Sequence, residues 1–211
     1  MNEEKIKERL KTLASLILKH NTLYHQKDKD NFQPFKRNSK TLSREWVIPG
    51  TPGLEYRIGG LEKNSITGNI SYDSDNHSEM TEIRAEKILR VASDFEKLEV
   101  VGPDKGDILL VGWGSTNGPI SEVQDQLSKN GTKISHIQVR CLWPIQKNLS
   151  NITNNFKNIV IIEMNDGQLY KLIRSEIKNK VHTINQISGK PFRVSKLIEE
   201  LKNLKLLKDK K

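Results

Sequence analysis

Between Gly112 and Gly118 the chain reads Gly-Trp-Gly-Ser-Thr-Asn-Gly, directly after an apolar run and directly before a helical pattern. In that setting backbone N–H groups and the helix dipole can hold a phosphate, which makes Gly112, Gly114, Ser115, Thr116 and Gly118 the candidate cofactor-binding residues. The spacing is G-x-G-x-x-x-G, one residue longer than a dinucleotide fingerprint. The following strand, moreover, ends in Arg140-Cys141, where a carboxylate would be needed to grip a ribose. A tight turn in which Ser115 or Thr116 helps to cap the helix is the simpler expectation. Glu163 closes the third strand and has the chemistry of a general acid or base. With no second group identifiable beside it, a hydrogen-bonding anchor is expected instead. The five histidines, His20, His25, His77, His136 and His182, form neither H-x-H nor H-E-x-x-H, so no metal site is expected. Cys141 stands alone, which rules out an intrachain disulfide and a cysteine-ligated zinc or iron–sulfur site. Nucleophile-elbow and Walker-type loops are absent from the sequence, and with them any support for hydrolase or nucleotidase chemistry. No catalytic residue is expected on this chain.

The elements that must position these loops follow from periodicity. After Pro103 strands and helices alternate, the pattern of an α/β fold with a mostly parallel sheet flanked by helices. Ile108–Trp113 is a short apolar run of the kind buried on both faces, with Ile134–Val139, Ile159–Glu163 and, more weakly, His182–Ile187 as further strands. Helices are expected around Ile120 to Leu127 with Pro119 in the first turn, Leu149 to Phe156, Leu169 to Ile177 and Leu197 to Leu204. The loops at Gly112–Gly118, Leu142–Ile145 and Glu163–Gln168 then line one rim, at the carboxyl ends of the strands where ligands and partners of open α/β sheets sit. Upstream, Ile6, Leu10, Leu13 and Ile17 predict an amphipathic helix over residues 3–19 that needs a partner surface, and a polar linker follows. Pro49-Gly50 and Pro52-Gly53 suit the central positions of type II turns. The expected organisation is a helix and linker over 1–30, an extended turn-rich arm over 31–78, an α/β domain over 79–204 and a basic tail over 205–211. A linking helix over 79–96, N-capped by Asn76 or Ser78, leads to a sheet beginning at 107.

The net charge of +9 belongs mainly to the ends. Residues 41–170 carry 13 basic and 17 acidic side chains, whereas residues 171–211 carry 12 and 4. A nucleic-acid-binding role would need basic residues in the body, so the tail reads as solvated and no specific nucleic acid is expected. No apolar run approaches a membrane span, and Met1-Asn-Glu-Glu-Lys5 lacks a cationic leader followed by an apolar stretch. A cytoplasmic location without membrane attachment is the expectation.

The segment Leu42–Lys63, with Gly68-Asn-Ile-Ser-Tyr72, resembles the alpha subunit of 2-oxoacid:ferredoxin oxidoreductases, particularly of the 2-oxoglutarate type. Gly112-Trp-Gly-Ser115, Leu142-Trp-Pro144, Glu163–Leu169 and Gly189-Lys-Pro-Phe192 are similar to the same family in the same order, and the resemblance runs from about residue 31 to 202. It implies a transketolase C-terminal-like domain in the C-terminal half of that subunit. The complex it implies uses thiamine diphosphate, magnesium and a 4Fe-4S cluster to convert a 2-oxoacid to an acyl-CoA, with ferredoxin and coenzyme A as further substrates. The family's tyrosine-proline-isoleucine-threonine-proline motif, its 2-oxoacid-binding arginine and its G-D-G diphosphate motif have no counterpart here, since Gly106-Asp107 is followed by Ile108. The cofactors are therefore expected on other domains or subunits, with none bound by this chain alone. The expected partners are a pyrimidine-binding domain or subunit and the beta subunit. The expected contact residues are Pro49, Gly50, Pro52, Gly53, Arg57, Gly59 and Gly60 in the arm, with Trp113, Trp143, Glu163, Asn165 and Gln168 on the rim. Pro144-Ile145-Gln146 departs from the family's usual proline-phenylalanine-proline, and residues 1–30 do not resemble it. Two other expectations stay open beside this one: a free-standing dinucleotide-binding α/β protein and a basic nucleic-acid-binding protein.

Overall fold

The computed structural model describes residue 11 and residues 32–207; the expected helix over 3–19 and the end of the basic tail lie outside that span. The chain divides into two compact units, one ending at Arg90 and the other beginning at Val91.

In the first unit the paired turns form as their residues dictate. The Ile48 carbonyl accepts from the Thr51 amide at 3.1 Å and the Thr51 carbonyl from the Leu54 amide at 3.3 Å. Gly50 and Gly53 take φ of 89° and 78°, the position of a type II turn that only a residue without Cβ fills at no steric cost. A tight reversal follows, in which Lys63 bridges Ile70 antiparallel and the Asn64 carboxamide oxygen accepts from the amides of Ile66 and Thr67. Helix α1 spans Ser74–Arg90, five residues earlier at its start than the spacing of apolar residues suggests. Its cap is Asp73, whose Oδ1 accepts from the Asn76 amide at 2.8 Å. Asn76 does not cap it. Its buried carboxamide binds the Ser65 amide, the Asn64 side chain and the Lys63 carbonyl, stitching the reversal to the helix. A polar residue three positions into a helix thus serves tertiary packing, and sequence position alone makes it look like a cap.

The second unit is a four-stranded sheet of β1 (Gly106–Trp113), β2 (Ile134–Val139), β3 (Phe156–Glu163) and β4 (Lys180–Asn185), all parallel, in the order β2-β1-β3-β4. Helices α2 (Asn117–Lys129), α3 (Leu149–Thr153) and α4 (Gln168–Ile173) connect successive strands, and α5 (Val194–Asn203) follows β4. Alternate residues of each inner strand face opposite layers. Leu109, Val111, Ile159 and Ile161 pack with residues of α3 and α4, and Ile108, Leu110, Val160 and Ile162 with residues of α2 and α5. Both layers are closed to water, which is why the inner strands read as continuous apolar runs. The short helix expected to reach Phe156 ends at Thr153, because Phe156 is already the first residue of β3 and fully buried. Each buried Ile or Leu contributes roughly 1.5–3 kcal/mol by removal from water.

Truncation tests this layering. Ile161→Ala empties a site with no solvent exposure and is expected to lower stability by about 2–5 kcal/mol in a urea titration. Ile187→Ala, at a residue 74% exposed, should stay within about 0.5 kcal/mol.

Candidate functional site

The carboxyl ends of the strands form a rim whose centre is Glu163. Its residue is fully buried, and an ionised carboxylate there is tolerated only with donors around it. The donors are the first turn of α4. Oε2 accepts from the Leu169 amide at 2.7 Å and Oε1 from the Tyr170 amide at 3.0 Å. The remaining first-turn amide, that of Gln168, donates to Asn165 Oδ1 at 2.9 Å. The Trp113 indole Nε1 reaches Glu163 Oε2 from the end of β1 at 3.4 Å. Every N–H that α4 would turn toward an external anion is therefore held by a side chain of the same loop. Gly167, at φ 79°, makes the turn that brings this about. The arrangement is an anchor: the carboxylate has no opening to solvent through which to exchange a proton with substrate.

The glycine-rich loop is arranged differently from a phosphate cradle. Gly112 is required by packing, since a Cβ there would run into Ile120 and Thr116. A Cβ on Gly118 would meet nothing within 4 Å, so the third glycine does not serve the close helix–strand approach that a dinucleotide fold requires. Neither hydroxyl caps α2. Thr116 Oγ1 turns back to the end of β1, donating to the Trp113 carbonyl at 2.9 Å and accepting from its amide at 3.1 Å. Ser115 Oγ donates to Met164 Sδ at 3.5 Å. The hydroxyls tie the loop to the neighbouring strand ends.

At the β2 end, Trp143 is 63% exposed and Leu142 and Ile145 pack into the core on either side of it. Asn148 binds both the amide and the carbonyl of Leu98, at 3.1 and 2.9 Å, pinning the segment that enters the sheet. A cavity of about 650 Å³ lies beside β2, lined among others by His136, Gln138, Cys141 and Gln146. His136 Nε2 lies 3.2 Å from Ser121 Oγ. Burial holds the imidazole below its ordinary value, favouring the neutral ring. Neither Asn148 nor His136 announces such a role in the sequence. Their partners lie 50 and 15 residues away, so only the fold connects them.

The rim thus gathers Gly112, Trp113, Gly114, Ser115, Thr116, Trp143, Glu163, Asn165 and Gln168 at the strand ends of the second unit. Pro49, Gly50, Pro52, Gly53, Arg57, Gly59 and Gly60 belong to the first unit. Among the described residues no three His, Cys, Asp or Glu side chains converge to hold a metal ion. The donor set does not suit a diphosphate at α4, where it would meet the Glu163 carboxylate, and one cysteine cannot ligate a 4Fe-4S cluster. No described helix is long and apolar enough to cross a membrane.

Residues 106–197 match the family model of pyruvate:ferredoxin oxidoreductase core domain II. Over 162 residues the chain is 40% identical to the 2-oxoglutarate oxidoreductase subunit KorA of Mycobacterium tuberculosis, covering 76% of this chain and 24% of that subunit. It is 27% identical over 177 residues to the alpha subunit of 2-oxoacid:ferredoxin oxidoreductase 1 of Aeropyrum pernix, covering 79% and 27%. Among solved structures it superposes on a 2-oxoglutarate:ferredoxin oxidoreductase from Magnetococcus marinus, solved with 2-oxoglutarate, coenzyme A and succinyl-CoA bound. There the TM-score is 0.73 at 27% identity, over 82% of this chain and 30% of that one. The chain spans about a quarter of the length of the curated relatives it matches.

Two measurements probe the rim and the cavity beside β2. Glu163→Gln sets an amide nitrogen against one of two backbone donors and removes a charge from a helix N-terminus; a loss of about 2 kcal/mol in urea unfolding is expected, and a change below about 0.5 kcal/mol would sink the anchor assignment. His136, with its folded-state pKa depressed, takes up a proton more readily when unfolded. Its contribution to stability is therefore complete above the ordinary value of 6.5 and is lost as pH falls through the depressed one. His136→Asn should flatten the decline in unfolding free energy below pH 6.5.

Proposed function

This chain is related to the alpha subunits of 2-oxoacid:ferredoxin oxidoreductases, and on that premise we propose that it serves assembly and active-site framing in an enzyme that oxidatively decarboxylates a 2-oxoacid to an acyl-CoA. The acid is 2-oxoglutarate, as in the 40% identical relative. The rim supplies a rigid surface, and thiamine diphosphate, magnesium and the 4Fe-4S cluster are held by other domains or subunits of a cytoplasmic hetero-oligomer. Ferredoxin and coenzyme A react with that complex, and the isolated chain has no turnover of its own. The domain is the transketolase C-terminal-like part of the subunit.

One observation carries the proposal. Between Trp46 and Tyr72 the arm exposes Trp46, Ile48, Ile58, Leu61, Ile66, Ile70 and Tyr72, with Ile66 and Tyr72 at 82% and 87%. So many large apolar side chains in one short stretch mark a surface made to be covered. The rim adds Trp143, an aromatic residue of the kind that anchors interfaces. The two proline–glycine turns and the Asn76 clamp tie the arm's backbone to itself and to α1, which limits the ordering that docking must supply. Nothing in the glycine-rich loop favours a free-standing dinucleotide enzyme.

Co-expression with the pyrimidine-binding and beta subunits of a 2-oxoglutarate-type enzyme tests this. The chain should co-purify with a tagged partner, and Ile66→Glu with Tyr72→Glu should cut the retained amount by about tenfold or more while leaving the circular dichroism spectrum unchanged. A chain that never associates, or one that turns over 2-oxoacid alone, would show the proposal to be wrong.

A further inference from the structure

A second cavity, of about 440 Å³, lies within the first unit between the reversal at Lys63–Ile70, the bridge Arg37–Arg44 and α1. Its charged lining is Arg37, Arg44, Lys63, Arg84 and Lys87 against a single acid among the described residues, Glu62. That acid is engaged through one oxygen, Oε2, which lies 3.4 Å from the Arg84 guanidinium and 3.2 Å from His77 Nδ1, while its Oε1 is buried with no hydrogen-bond partner among the described residues. The cations are held in place by the fold. Arg37 donates to the Leu42 carbonyl at 3.0 Å and bridges Arg44 antiparallel. Arg44 stacks over the Phe35 ring at 5.2 Å. Lys63 donates to the Leu61 carbonyl at 3.3 Å. Arg37 Nε is buried with no hydrogen-bond partner among the described residues. Burial, then the charges of Arg44 and Arg84, lower the Arg37 pKa.

Like charges fixed this close repel one another, and an arginine donor left buried and unmet is costly. A small anion of more than one charge relieves both penalties at once. Guanidinium forks beside ammonium groups match the several oxygens of a phosphate, and the Phe35 and Met80 side chains line the cavity beside them. We propose that this cavity is a binding site for a multivalent phosphate anion, either free or carried as the diphosphate of a larger ligand. The inference stands on the first unit alone and is independent of the subunit assignment.

Calorimetric titration of the full chain at low salt, with inorganic pyrophosphate, ADP and citrate in separate runs, tests it. Pyrophosphate should bind one to one, with affinity falling as salt is raised. Lys63→Gln combined with Lys87→Gln should weaken it about tenfold or more, and Lys63→Arg with Lys87→Arg should restore it. Lys157→Gln, a pair partner of Asp107 in the second unit, should change nothing. ADP binding as tightly as pyrophosphate assigns the site to a diphosphate-bearing ligand, and weaker ADP binding assigns it to the free anion. The proposal fails if pyrophosphate gives no saturable heat, if citrate binds equally well, or if the double lysine variant, folded by circular dichroism, binds like the parent.

Discussion

A carboxylate with no access to water cannot sit at the end of an apolar strand unless the chain brings donors to it, and Glu163 imposes that condition on the whole rim. The donors are two consecutive amides of α4 and the indole of Trp113. Strand β3, the first turn of α4 and the end of β1 are thereby locked to one group. The coupling is directional. Without the helix the charge is stranded in the core, and without the charge the helix exposes unpaired N–H groups to an apolar layer. The same economy decides what the site can do: donors spent on an internal acceptor are not available to a cofactor phosphate, and a carboxylate fully engaged in this way is poorly placed to move protons.

The parallel sheet was legible in the chain because both of its faces are dry. Continuous runs such as Ile108–Val111 and Ile159–Ile162 leave no polar face to blur the pattern, and short connections then fix neighbouring strands and right-handed crossovers. The type II turns were equally readable, since Pro-Gly pairs have few other uses. What periodicity could not fix were element ends. Helix α1 starts at Ser74 because Asp73 reaches the Asn76 amide, although Asn76 and Ser78 have equally good capping chemistry on paper. The short helix before β3 stops at Thr153 because Phe156 fills the core as a strand residue, a choice made by tertiary packing over local preference.

The candidate site was legible as a set of loops and much less so as a set of roles. Sequence order places Gly112–Gly118, Leu142–Ile145 and Glu163–Gln168 on one edge, because parallel strands bring all their carboxyl ends together. Direction is another matter. Thr116 has the chemistry of a helix cap, yet its hydroxyl closes on the backbone of Trp113. Asn148, an unremarked residue in a polar stretch, pins Leu98 from 50 positions away. Such roles depend on which backbone happens to pass within reach, information that resides in the three-dimensional path and in no local spacing.

The division of charge between the body and the ends has a structural counterpart within the arm. There, with Arg84 of α1, the cations of Arg37 and Arg44 line a cavity, and most of the large apolar residues from Trp46 to Tyr72 are exposed. A surface that combines exposed aromatic and aliphatic groups with fixed cations has two separate demands to satisfy, removal of apolar area from water and neutralisation of charge. One partner meets both only if its own surface alternates apolar and acidic groups. A protein partner for the apolar face together with a small anion for the cations meets them independently, and neither then has to match the other's geometry. On the proposed reading, that independence would let an arm shaped by its turns serve as a docking surface without its basic cavity opposing the approach of another subunit.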